Sequence, residues 1–126
     1  MAQGDGALYN EFKEELLLGN IDMDGHTFKV ILVTGYTPNI DSHNGLSDVS
    51  RLSNRAVTKD TTNARGKFDA DDVTWTGLNV GTPSHAILYD DTHASDTLVC
   101  YWEVTTPTNG GNYTLQFGAN GILLLT

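Results

Sequence analysis

The chain has a single cysteine, no lysine or arginine after Lys67, and no apolar run near the roughly 18 residues that a membrane-spanning helix needs. Each shortage excludes something. One Cys100 cannot form an intramolecular disulfide or a multi-cysteine zinc site, so folding must rest on packing. Within Leu98-Val99-Cys100-Tyr101-Trp102 the thiol reads as a small buried hydrophobe rather than a nucleophile. The opening Met-Ala-Gln-Gly-Asp-Gly has neither a basic nor a hydrophobic region, so neither a secretory signal nor a membrane span is expected.

Catalytic patterns are equally scarce. There is no Gly-x-Ser-x-Gly turn, and Gly110-Gly111 lacks the lysine and following helix of a phosphate loop. His26, His43, His85 and His93 are scattered without an i, i+4 pair. Asp90, Asp91, His93 and Asp96 crowd one short loop, where Asx residues favour local backbone hydrogen bonds, and the group reads as a solvated hairpin turn; Asp69, Asp71 and Asp72 read the same way. The expectation is a non-enzymatic protein with no catalytic residues, no cofactor and no metal.

What is present is acid, glycine and apolar residues in short runs. The formal net charge is −9, yet Arg51, Arg55, Lys59, Arg65 and Lys67 fall in one segment that contains a single acid, Asp60. An acidic body with one basic strip is a poor match to nucleic acid, whose phosphates would oppose the overall field. It suits an acidic protein surface better.

At 126 residues the expectation is a single domain spanning 1–126, large enough for one hydrophobic core. Leu8, Phe12 and Leu16 recur at helical spacing, with Tyr9 and Leu17 beside them, and predict an amphipathic helix over 7–18, capped at Asp5 or Gly6 and ended by Gly19. The following Asn20 to Gly25 begins like a calcium loop, but Ile31 stands where the bidentate glutamate belongs, so it reads as a tight turn. Thr27 to Tyr36 is then a strand with apolar side chains on both faces, expected to be central and covered on one side by the helix.

Beyond it, Tyr36 to Ser53 reads as a long exposed loop, and Ala56 to Asp60 with Ala64 to Phe68 as an edge hairpin. Val73 to Thr76, His85 to Tyr89, Thr97 to Thr105 and Tyr113 to Phe117 follow as strands, with Leu98, Cys100, Trp102 and Val104 on the core face and a bulge expected at Gly77. The apolar end Ile122 to Leu125 must pair in a sheet or against another subunit. Short strands at this spacing predict a mainly β fold, a β-sandwich or jelly-roll-like domain over 27–126 with one N-terminal amphipathic helix.

Four stretches, ALYNEFKEELLLGN (7–20), VILVTGYTP (30–38), FDADDVTW (68–75) and GTPSHAILYDD (81–91), resemble the small virion proteins of tailed bacteriophages, and most of all the capsid decoration, or cement, proteins. The resemblance implies a structural protein, made in the host cytoplasm, that binds the outer surface of an assembled head. Its partner would be the major capsid protein, and its assembly a homo-oligomer, commonly a trimer, with no nucleic acid or membrane partner. In that setting Arg51, Arg55, Lys59, Arg65 and Lys67 are the candidate capsid contacts. The alternatives are a neck, tail or fibre-associated virion component, and a host-surface or glycan-binding module presenting exposed Tyr and Trp.

Overall fold

The structure is a computed structural model that describes residues 7–49, 53–57, 67–68, 72–104, 106–115 and 123–124, with 53–57, 67–68 and 123–124 described by their backbone. Its largest element is an antiparallel sheet of five strands in the order β1-β7-β6-β2-β3, where β1 is Ala7–Leu8, β2 Phe28–Val33, β3 Ser53–Val57, β6 His85–Asp90 and β7 Leu98–Glu103. Strands β4 (Lys67–Phe68) and β9 (Leu123–Leu124) form one antiparallel pair, and β5 (Val73–Trp75) and β8 (Tyr113–Leu115) another. The chain is thus mainly β, with antiparallel sheets and, among the described residues, one α-helix, α1 (Asn10–Leu17).

Both faces of the large sheet are buried. The run FKVILV in β2 explains why: with no polar residue except Lys29, every other side chain of the strand has to leave water. Alternation sends Phe28, Val30 and Leu32 to one face, where Ala86, Leu88, Cys100 and Trp102 join them against Val73, Trp75, Tyr113 and Leu115 of β5 and β8. Ile31 and Val33 go to the other face with Ile87, Tyr89, Leu98 and Tyr9, under Tyr36, Ile40, Leu46 and Val49. The strand is interior, between β6 and β3, as its pattern required.

The helix is shorter than its periodicity suggested, and its cap is neither Asp5 nor Gly6. Ala7 and Leu8 are extended and pair with Tyr101 and Cys100 of β7, and the helix starts after Tyr9. The Tyr9 N–H donates to the Val99 carbonyl oxygen at 3.0 Å, so sheet pairing has taken the residues that would have formed the first turn. Phe12 is fully buried and Leu8 and Leu16 pack partly against the same core, but Leu17 and Leu18 are 88% and 64% exposed. Gly19, at φ +80°, ends the helix in the left-handed region as read.

Three other expectations are corrected. The segment after Tyr36 is a cover, not simply an exposed loop: Ile40, Leu46 and Val49 seal the second face of the sheet, and a single 3-10 turn forms at Leu46–Asp48. Among the described residues the strands of the basic segment pair elsewhere, β3 with β2 and β4 with β9, while 58–66, which hold the rest of the expected hairpin, lie outside the described residues. Leu98 lies on the opposite face from Cys100, because Leu88 and Tyr89 on β6 oppose Cys100 and Leu98 on β7. Val99 is the extra residue of that bulge, and it reverses the alternation. Leu123 and Leu124 near the C-terminal end do pair in a sheet, with Phe68 and Lys67.

Candidate functional site

Two groups of polar side chains fasten the loops to the sheet. The first is built on the β6–β7 hairpin. Asp90 closes β6 with no exposed surface, although the sequence read it as part of a solvated turn. Its Oδ1 accepts the Thr92 and His93 N–H groups at 2.9 and 3.2 Å, and its Oδ2 lies 2.6 Å from His26 Nδ1. The short contact with a carboxylate, rather than the 3.5 Å approach of the Asp22 N–H, makes that nitrogen a donor. A buried carboxylate is tolerable only when its lone pairs are filled, and here a ring and two amides fill them.

His93 ties the same hairpin to α1. Its Nε2 donates to Glu15 Oε2 at 2.9 Å, while its Nδ1 accepts from the Ser95 N–H and the Thr97 hydroxyl at 3.2 and 3.1 Å. The hydrogen bond from His93, with a second from Asn20, holds the Glu15 carboxyl below the usual range. Lys29 Nζ stands 3.0 Å from Asp91 Oδ2, which holds the lysine above its usual value. The turn from Ile21 to His26 is held locally, with Asp22 Oδ1 accepting the Asp24 N–H and Asp22 O accepting the His26 N–H.

The second group lies on the other face. Tyr9 OH and Tyr36 OH are 2.7 Å apart, and Tyr36 OH lies 2.8 Å from His43 Nδ1, which also accepts the Asn39 N–H at 3.3 Å. His85 meets the edges of Tyr36 and Tyr101, and Tyr101 meets Tyr9. Burial pushes the Tyr9 and Tyr36 hydroxyls up and the His85 imidazole down from their ordinary values. Asn10 Nδ2 donates to Asp41 Oδ1, fixing the cover segment to the start of α1.

Chemically, the Asp90–His26 pair orients an imidazole, but His26 has no hydroxyl or thiol partner among the described residues. Cys100 is buried in the core as read, and that burial pushes its thiol well above the ordinary value. No group of three or more histidine, cysteine or acidic side chains among the described residues is arranged to hold a metal ion. Nor is any helix among them long and apolar enough to cross a membrane.

The predicted contact residues are placed only in part. Arg55 lies on β3, at the edge of the large sheet and opposite Val30, and Lys67 lies on β4 opposite Leu124. Arg51, Lys59 and Arg65 lie outside the described residues, as do Asp69 and Asp71 of the acidic turn. No family model, curated protein or solved structure matches the chain. The aromatic surface that a glycan-binding module requires loses its tryptophans, for Trp75 and Trp102 are 5% and 2% exposed.

The residues that sequence reading missed are Glu15, His26, Asp90 and His93 on one face and Tyr9, Tyr36 and His43 on the other. Their partners are far apart in the chain: His26 and Asp90 are separated by 64 residues, Glu15 and His93 by 78. No local spacing carries such a pairing. The one available signal was Asp90 at the end of an apolar strand, where a charge needs a partner.

Proposed function

We propose that this chain is a non-enzymatic structural virion protein that binds and stabilises the outer surface of a bacteriophage capsid. The proposal rests on the resemblance carried by 7–20, 30–38, 68–75 and 81–91. What supports it on the molecule itself is the use made of the polar groups. Asp90, His26, His93, Glu15, Tyr9, Tyr36 and His43 are spent on fastening loops to a sheet covered on both faces. A body clamped in this way presents a preorganised surface, which loses little conformational freedom on docking.

In this reading the partner is the major capsid protein, and the protein works as a homo-oligomer, a trimer, on the outside of the head. The fold is taken as a β-sandwich or jelly-roll-like domain, with β5 and β8 as part of the second layer. Arg51, Arg55, Lys59, Arg65 and Lys67 supply the contact, because a basic strip on a body of net charge −9 orients it against an acidic shell. Co-sedimentation with mature empty heads tests this. Changing all five residues to Ser should abolish most binding at low salt, and undiminished binding would contradict the electrostatic contact.

A further inference from the structure

The geometry points to His26 Nε2 as a coordination position for a divalent transition-metal ion, with Asp90 as the buried carboxylate that fixes the tautomer and direction of the ring. This site stands apart from the capsid reading and uses none of the basic residues on which that reading depends. It follows from where the ring protons of the four histidines sit and from what holds the His26 ring in place.

Asp90 Oδ2, in a side chain with no exposed surface, accepts the His26 Nδ1–H at 2.6 Å. A neutral imidazole carries one ring proton, so the remaining lone pair is on Nε2. That nitrogen has no hydrogen-bond partner among the described residues, and the His26 side chain keeps 23% of its surface in water where Asp90 keeps none. A histidine that ligates a metal through one nitrogen almost always gives its other N–H to a carboxylate, a carbonyl or water, which raises the basicity of the ligating nitrogen. Asp90 fills that role from inside the fold.

The backbone holds the ring from both sides. The His26 N–H donates to the Asp22 carbonyl at 2.9 Å, the Thr27 N–H to the Thr92 hydroxyl at 2.8 Å, and the Asp91 N–H to the Thr27 carbonyl at 2.9 Å. Asp90 is fixed in turn by its own N–H on the Thr97 carbonyl and by the two amides on Oδ1. The ring is thus set before an ion arrives, and little ordering is left to oppose binding.

None of the other three imidazoles is set this way. His43 Nδ1 receives the Asn39 N–H, and a backbone amide can only donate, so the neutral ring carries its proton on Nε2. His93 uses both nitrogens, Nε2 on Glu15 and Nδ1 on the Ser95 N–H and the Thr97 hydroxyl. His85 Nδ1 meets the Ser84 hydroxyl, which accepts as readily as it donates and so fixes no tautomer.

The class of ion follows from the donor. Imidazole nitrogen suits Zn2+, Ni2+ and Cu2+, whereas Ca2+ and Mg2+ take oxygen ligands. Asp22 and Asp24, in the turn that leads to His26, add to the attraction of a chain of net charge −9 for a cation. No group of three ligating side chains forms among the described residues, so the rest of the ion's shell is left to water.

Ni2+ added to the untagged full chain at about pH 7.5, where an ordinary imidazole is neutral, tests the site by NMR of the histidine rings. Before the ion is added, His26 should show the Nδ1–H tautomer. Substoichiometric Ni2+ should then broaden the His26 ring signals first, and the same amount of Ca2+ should leave them unchanged. His26→Asn keeps an N–H for Asp90 but has no second ring nitrogen, and should weaken Ni2+ binding by about tenfold or more in calorimetry. Asp90→Asn supplies a readout that a merely structural role would not move. Its NH2 donates to Nδ1 and drives the ring proton to Nε2, so the tautomer should invert and Ni2+ affinity fall by about tenfold, with the sheet amides still protected from exchange. An Nε2–H tautomer at His26 in the wild type, broadening equal at all four histidines or greater at another, or wild-type Ni2+ affinity in His26→Asn or in folded Asp90→Asn would overturn the proposal.

Discussion

Asp90 is the residue whose loss should be felt most. Replacing it by Ala leaves two backbone N–H groups and a histidine ring without their acceptor in a fully buried site. Unfilled buried donors cost about 1 to 3 kcal/mol each where water cannot reach them, so Asp90→Ala should lower the unfolding free energy by roughly 3 kcal/mol in urea titrations. Asp90→Asn should cost about half as much or less, since Oδ1 can still accept the Thr92 and His93 amides and the amide NH2 can donate to His26 Nδ1 once the ring carries its proton on Nε2 instead. Equal losses in the two variants would mean that packing, not acceptor chemistry, sets the value. Two other carboxylates carry the acid sensitivity. Glu15 and Asp48 are held below their ordinary values, by His93 and by the Asn44 amide respectively, so below about pH 4 the unfolded chain binds protons that the folded chain refuses. The stability these two groups add is therefore complete above that range and lost as pH falls through their folded values. Urea midpoints measured from pH 7 to 3 should drop at the acid end, and Asp48→Asn should flatten part of the drop. A burial without compensation also belongs at this scale: Trp75 Nε1 is enclosed with no acceptor among the described residues.

Among the elements, the cover depends on a glycine. Gly45 bridges to Thr97, just before β7, Leu46 N–H donates to the Asp96 carbonyl and Leu98 N–H to that of Asn44, at 3.2 and 2.9 Å. A Cβ on Gly45 would collide with the Ser95 carbonyl oxygen, a backbone atom that cannot swing aside. Gly45→Ala should therefore destabilise by about 1 to 3 kcal/mol, the usual cost of overpacking, and should weaken exchange protection at Leu46 and Leu98 first. Thermal unfolding unchanged to within about a degree would show that the bridge closes around an extra methyl. Single elements also show where sequence reading reached and where it stopped. The strand Phe28–Val33, the stop at Gly19 and the buried Cys100 were legible because each is written in consecutive residues: a doubly apolar run, a helix followed by Gly, a thiol among hydrophobes. The start of α1 was not, because Ala7 and Leu8 fit a helical stripe equally well and were claimed by β7. Leu98 failed for a related reason: one extra residue at Val99 reverses the face, and nothing in Leu98-Val99-Cys100 marks a bulge. The clasps at His26–Asp90 and His93–Glu15 depend on tertiary approach alone, and so no motif announced them.

Across the whole molecule, charge and cover are divided between regions. The described body is a sheet sealed by β5 and β8 on one face and by the segment after Tyr36 on the other, while five of the seven basic residues fall between Arg51 and Lys67. If that strip docks the protein on an acidic shell, binding should weaken steeply with salt, because screening shortens the reach of exposed charges to about 10 Å at 0.1 M. Raising the salt from 0.05 to 0.5 M in the co-sedimentation assay should therefore reduce capture by about tenfold or more. Salt-independent capture would place the contact on apolar surface, for which the exposed Leu17, Leu18 and Val80 are the available side chains among the described residues. The most direct test of the account is cryo-electron microscopy of the mature particle encoded with this chain. A capsid-binding role requires density for the five-stranded sheet on the outer face of the head, at junctions between capsomers, with the strip from Arg51 to Lys67 turned toward the shell. Density confined to the neck, tail or fibres, or none on the particle, would contradict it.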